Sequence, residues 1–174
     1  VEILIEENMD EIQLPENSSS IKNSHLGYES YKKFLNSIND IDFSNFDLVI
    51  DSANGSAFEI IKDIVPDSVG KITHIANKPN GQNINEESGA TNTKNLINIM
   101  KNGQLGVSFD GDADRLIMID ENKEIANGDV LIALLATYFS RIKELDNDNV
   151  VSTVMSNYGF KLAMKSQNFN LIET

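Results

Sequence analysis

Read for its spacing of apolar and polar positions, the chain breaks into short hydrophobic runs separated by polar turns. Apolar and aromatic residues recur at helical spacing at Tyr28, Tyr31, Phe34, Leu35 and Ile38, predicting an amphipathic helix over Tyr28–Ile38 with its rings packed toward the core. Phe46–Asp51, F-D-L-V-I-D, predicts a strand that runs into S-A-N-G-S-A and then a helix to about Val65. Strand, small-residue turn and helix make half of a βαβ unit, whose helix N-terminus can bind an anion. With no full G-x-G-x-x-G present, Asn54 and Gly55 read more simply as residues of a tight turn. Lys71–Ala76 predicts a second strand, in which His74 reads as a packed or surface side chain.

Asn77–Thr93 is turn-rich, and loops of that length in compact domains tend to be functional. A short helix over Lys94–Asn102 ends at Gly103. Leu105–Phe109 and Leu116–Ile119 are then two strand-length apolar runs. After a polar turn, E-N-K-E, Gly128-Asp129 opens a helix over Val130–Lys143. A strand follows at Val150–Met155, then a helix over Tyr158–Lys165 capped from Ser156-Asn157, then a strand at Phe169–Ile172. Strands and helices alternate, which predicts the α/β class.

The chemistry is concentrated between the two apolar runs, in D-G-D-A-D-R. Asp110, Asp112 and Asp114 alternate with the small residues Gly111 and Ala113, so a curled loop can bring all three carboxylates to one point. Such carboxylates repel one another unless positive charge sits among them, and hard oxygen donors suit Mg²⁺ or Ca²⁺. Arg115 follows at once and offers a planar fork that fits a phosphate. A divalent ion beside a phosphate-grasping arginine points to phosphoryl transfer. Two other motifs come close. The calcium-loop pattern is met at Asp110, Asp112, Asp114 and Glu121, with Ile117 at its apolar position, but Arg115 stands where that loop turns on glycine and strands replace the flanking helices. A haloacid-dehalogenase-like phosphatase also places D-x-D after a strand, but with Thr or Val where Asp114 stands. In a third, non-catalytic reading the loop is a solvated turn of an interaction domain.

Composition narrows the partners. A net charge of −13 over 174 residues argues against nucleic acid or an anionic membrane, and an anionic substrate would need local positive charge or a cation. The absence of cysteine removes any disulfide or thiolate site and fits a reducing, cytoplasmic compartment. The longest apolar run, Val130–Phe139, is too short to span a bilayer, and the N-terminus lacks the basic region of a signal peptide. Val1–Asn23 is acidic and turn-rich, with a short helix over Val1–Met9, and reads as a linker or the tail of a preceding domain. Starting at Val1 and ending in N-L-I-E-T, the chain reads as a piece of a longer protein.

The stretch F-D-G-D-A-D-R resembles the metal loop of the α-D-phosphohexomutase superfamily. V-I-D-S-A-N-G (Val49–Gly55) resembles the strand and turn that open that superfamily's second domain. N-I-N-E-E-S-G-A-T (Asn83–Thr91) and T-V-M-S-N-Y-G (Thr153–Gly159) are similar to its phosphoglucosamine mutase branch, whereas the double-His segment of the phosphomannomutase/phosphoglucomutase branch is absent. The resemblance implies a three-layer α/β/α domain with a mixed, mostly parallel sheet, in which the strands around the acidic loop are antiparallel. It implies residues 1–27 as tail of domain 1 and linker, 28–126 as domain 2 and 127–174 as the start of domain 3. It further implies Mg²⁺ on Asp110, Asp112 and Asp114, Arg115 beside the transferring phosphate, and a phosphosugar substrate. In the whole enzyme a phosphoserine in domain 1 would interconvert glucosamine 6-phosphate and glucosamine 1-phosphate through a bisphosphate. The T-A-S-H-N-P-like, G-E-x-S-G-like and R-x-S-G-T-E-like loops are missing, so the catalytic serine is expected upstream and this chain is expected to be inactive alone. Apolar faces left uncovered in a partial domain 3 suggest a homodimer or exchange of elements between copies.

Overall fold

A computed structural model describes residues 25–38, 45–65 and 70–174. The expected helix at Val1–Met9 and all but the last three residues of the expected 1–27 tail and linker lie outside the described residues. The described residues form two sheets, one of five strands and one of two.

The larger sheet is built on β1 (Asp47–Asp51), which pairs in parallel with β2 (Lys71–Ile75) and β3 (Leu105–Phe109). β3 pairs antiparallel with β4 (Leu116–Ile119), and β4 with the short β5 (Ile125–Ala126). The order β2-β1-β3-β4-β5 is thus mixed, with two parallel and two antiparallel pairings. β5 is absent from the sequence reading, since two residues after a polar turn carry no periodicity of their own.

Strand alternation sorts β1 between two cores. Leu48 and Ile50 face α2 (Ala57–Ile64), burying Ala57 and Ile61 with Leu105 and Phe109 against them. Val49 faces the opposite way, toward Leu96 of α3 (Lys94–Ile99), with Met100 and Ile119. Helices on both faces make the three layers. Gly106 is required on the second face, because a Cβ there would lie 2.7 Å from the Met100 sulfur and 3.0 Å from Ile119.

Helix α1 (His25–Ile38) forms, but its aromatic stripe is not buried as expected: Tyr31 is 54% and Phe34 56% exposed. It is instead tied to α2 through polar contacts, Tyr28 Oη donating to Asp63 at 2.7 Å and Lys32 Nζ pairing with Asp63 at 2.9 Å. The Asp63 bond pushes the Tyr28 phenol up to about 12.

The smaller sheet pairs β6 (Asn149–Ser152) in parallel with β7 (Asn170–Glu173), packed on α4 (Gly128–Arg141) and α5 (Tyr158–Ser166) around Ala136, Val150, Phe160 and Met164. Asn127 caps α4 by accepting from the Val130 amide, and Asn157 caps α5 by accepting from Phe160. β6 stops at Ser152, short of the expected Met155, because Thr153–Ser156 close a turn through Ser156 N–H to the Thr153 carbonyl at 3.1 Å. Among the described residues no helix is long and apolar enough to cross a membrane.

His74 is a packed side chain on β2. The Ser52 hydroxyl donates to the Ala76 carbonyl at 2.8 Å, so His74 Nε2, 3.0 Å from that hydroxyl oxygen, must be the donor between them. Nδ1 is then buried without a partner, and burial, with a smaller contribution from Lys62, holds the imidazole below its ordinary 6.5. The unfolded chain therefore binds a proton that the native state refuses. The contribution is complete above 6.5 and lost as pH falls through that value and below. Between about pH 7.5 and about pH 5, thermal melts should show a larger fall in midpoint for the native chain than for a His74→Gln variant.

Candidate metal centre

The acidic loop is the tip of the β3–β4 hairpin, so sheet register fixes its two ends at Phe109 and Leu116. Each of Asp110, Asp112 and Asp114 offers one carboxylate oxygen such that all three lie within 4.8 Å of one another. Asp110 is buried and the other two are exposed, which gives a cluster closed beneath and open above. Ala113 adopts a left-handed backbone (φ 63°), allowing its amide to reach back to the Asp110 carbonyl at 3.2 Å and curl the loop.

Arg115 closes the turn from the other side. Its amide donates to Asp110 Oδ1 at 3.1 Å and its Nε to Oδ2 at 2.6 Å, with Asp114 at 3.4 Å from the same nitrogen. The guanidinium side chain is nonetheless 71% exposed. Burial would raise the Asp110 carboxyl, but the backbone and guanidinium of Arg115 more than offset it, and Asp110 is held below the usual range. Asp114 moves up, because it shares a hydrogen bond with Asp110 and sits in the field of Asp112. Three crowded carboxylates with a single guanidinium beside them are short of positive charge, and hard oxygen donors match a divalent cation.

Two other segments press on this loop. Ser56, at the β1–α2 turn, donates its amide to the Gly111 carbonyl at 2.9 Å, and a Cβ on Gly55 would fall 2.2 Å from that oxygen. The long loop lies over the same ground: Ala90 N–H donates to the Phe109 carbonyl at 3.0 Å, and Ile84 stands 2.7 Å from where a Gly111 Cβ would be. Beside the loop, a cavity of about 510 Å³ opens between α1 and α2, lined by Tyr28, Tyr31, Leu35, Glu59, Phe109 and Asp112.

The calcium-loop alternative needs Glu121 as a ligand, and the structure corrects it. β4 carries the chain away for four residues, roughly 13 Å at strand rise, and the Glu121 carbonyl accepts from Gly103 at the far end of the sheet. What sequence reasoning missed is Asp51, fully buried at the end of β1, with its carboxylate on the amides of Ala53 and Gly89. The available signal was an aspartate ending an otherwise apolar strand.

Against protein families, residues 29–124 match the model for phosphoglucomutase/phosphomannomutase α/β/α domain II, and residues 127–174 match that for domain III. The chain belongs to the phosphoglucomutase/phosphomannomutase family. Among this family's curated relatives, phosphoglucosamine mutase of Lactobacillus gasseri is 36% identical over 178 residues, covering 100% of this chain and 40% of the relative. That of Campylobacter hominis is 45% identical over 115 residues, covering 65% of this chain and 26% of the relative. A solved phosphoglucomutase/phosphomannomutase family protein from Burkholderia thailandensis shares the fold, with TM-score 0.66 at 19% identity over 83% of this chain and 32% of its own. The chain thus spans about two-fifths of the length of curated mutases it matches along its whole length.

The contact of Gly55 with Gly111 gives a direct check. Gly55→Ala has no room that does not displace acidic-loop backbone, and should cost about 1–3 kcal/mol in urea unfolding. Gly27→Ala, where nothing lies within 4 Å of the new Cβ, should cause no comparable loss through crowding.

Proposed function

We propose that this chain is the metal-holding part of a phosphoglucosamine mutase, which as a whole protein interconverts glucosamine 6-phosphate and glucosamine 1-phosphate through a phosphoserine and a sugar bisphosphate. The observation that carries the reading is the convergence of three carboxylates within 4.8 Å beside an exposed arginine. The printed names of the relatives, phosphoglucosamine mutase in Lactobacillus gasseri and Campylobacter hominis, support the choice of sugar.

Asp110, Asp112 and Asp114 would hold Mg²⁺, which supplies positive charge where a phosphoryl group changes hands. The residues themselves do the positioning. Arg115 keeps Asp110 ionised and aimed through its amide and Nε, and its exposed guanidinium can meet a phosphate oxygen. Ser56 and Ala90 fix the loop backbone at Gly111 and Phe109, so the carboxylates need little reordering when a cation arrives. The serine donor and the sugar-selecting loops would belong to the rest of the protein.

Calorimetric titration of this chain with Mg²⁺ should show binding that Asp112→Ala abolishes. A wild type that binds neither Mg²⁺ nor Ca²⁺ would sink the reading in favour of a solvated turn. No turnover of glucosamine 6-phosphate is expected from this chain alone, and a coupled assay for the 1-phosphate checks that.

Protons compete with the cation, and the sign is fixed by Asp114. Its raised pKa means that affinity is complete above that pKa and lost as pH falls through it, earlier than for an aspartate at the ordinary 3.8. Asp110, held low, stays ionised over that range. Titrations at descending pH should show this early loss.

A further inference from the structure

Asp51 is buried, with an exposure of 0%, and lies outside the acidic loop. Its two carboxylate oxygens go to different segments. Oδ1 accepts from Ala53 N–H at 2.8 Å, two residues on, and Oδ2 accepts from Gly89 N–H at 2.9 Å, across the top of the sheet. The first bond holds the β1–α2 turn, in which Ala53 and Asn54 take consecutive left-handed conformations (φ 54° and 49°). The second holds the long loop, in which Gly89 is itself left-handed (φ 86°) and packs against Ala53. A third bond, Asn85 N–H to the Ala53 carbonyl at 2.8 Å, ties the two segments to each other.

Each segment then reaches the acidic loop by one backbone bond. The turn does so through Ser56 N–H to the Gly111 carbonyl, and the long loop through Ala90 N–H to the Phe109 carbonyl. Phe109 leads directly into Asp110, and Gly111 separates Asp110 from Asp112. One buried carboxylate therefore anchors both supports of the carboxylate cluster.

We infer that Asp51 is a positioning residue for the cation site, acting through the Ala53 turn and the Gly89–Ala90 strap to set the spacing of Asp110 and Asp112. This inference rests on the metal reading of the acidic loop. A carboxylate is needed because both partners are donors. An asparagine of the same shape would keep the local bond to Ala53 through its one oxygen and turn an N–H₂ toward the Gly89 amide, releasing the strap.

The test uses the whole chain and Mn²⁺, a hard-donor stand-in for Mg²⁺ with a magnetic readout. In Asp51→Asn, amide exchange at Gly89 and Ala90 should quicken by about tenfold or more, while Val49 and Val107 in the sheet stay protected. Under the same conditions the Mn²⁺ Kd should rise about tenfold, as for other outer supports of metal ligands. Unchanged exchange at Gly89 and Ala90, or unchanged Mn²⁺ affinity with the strap released, would overturn the inference. Wild-type chain that binds no Mn²⁺ removes the metal reading by itself, and the exchange pattern still decides whether Asp51 holds the strap. Should Asp51→Asn fail to fold, Gly89→Ala serves, since its Cβ would lie 2.9 Å from Ala53 Cβ and from the Asn85 side-chain oxygen. Faster exchange at Ala90 with weaker Mn²⁺ binding supports the inference there, and wild-type values for both reject it.

Discussion

Carboxylates at this spacing push apart, and the local architecture is a response to that force. Two unit charges 4 Å apart repel by about 4 kcal/mol at an effective dielectric near 20. Three aspartates brought within 4.8 Å would relax outward if their loop were free. It is not free. Both hairpin strands end in paired residues, Arg115 binds Asp110 with backbone and side chain together, and Ser56 and Ala90 hold the loop's carbonyls from outside. Rigid backbone supplies what the side chains cannot, and the residual tension shows in the opposite displacements of Asp110 and Asp114 from the ordinary carboxylate value.

Asp51 extends the same logic into the interior. Its net shift is upward, burial outweighing the two amides that favour the charge. A carboxyl with a raised folded pKa contributes most to stability below its ordinary 3.8, and that contribution declines as pH rises through the folded value. Burying this carboxyl therefore works against folding as pH rises, at a position where Val49 on the same face packs in an apolar core. Buried charges placed against stability are most readily understood through what they hold in place. Here that is a pair of strained turns converging on the acidic loop.

Much of this was readable from spacing. β1 is a continuous apolar run, buried on both faces, and the D-G-D-A-D-R loop announces itself because small residues separate the acids between two strand-length runs. The supports were not readable. Asn77–Thr93 is a string of turn formers with no period, and only the folded chain shows Ala90 meeting Phe109 and Ile84 covering Gly111. Gly55 looks like any turn glycine until Gly111 is seen beside it. Helix α1 misled in the other direction: an aromatic stripe at helical spacing normally means core, but Tyr31 and Phe34 are exposed, and polar bonds to Asp63 do the docking. Periodicity reports which face is apolar, and it does not report what is present to cover that face.

Under the proposed function, charge balance would let such a centre pass a phosphoryl group without trapping it. Three aspartates, one divalent cation and one guanidinium sum to no net charge, so under the proposed function the site offers directed dipoles and ligand positions with little overall attraction for a dianion. The chain as a whole, at −13, adds repulsion at longer range, screened beyond about 8 Å at physiological salt. Under that proposal, sustained holding of a phosphosugar would fall to cationic groups outside this loop, for which the relatives have a further three-fifths of their length that this chain does not span. Under the proposed function, a locally neutral transfer centre and a substrate grip located elsewhere would let the substrate move without disturbing the cation ligands. That separation fits three carboxylates carried at the tip of a paired hairpin whose backbone is held from outside by Ser56 and Ala90.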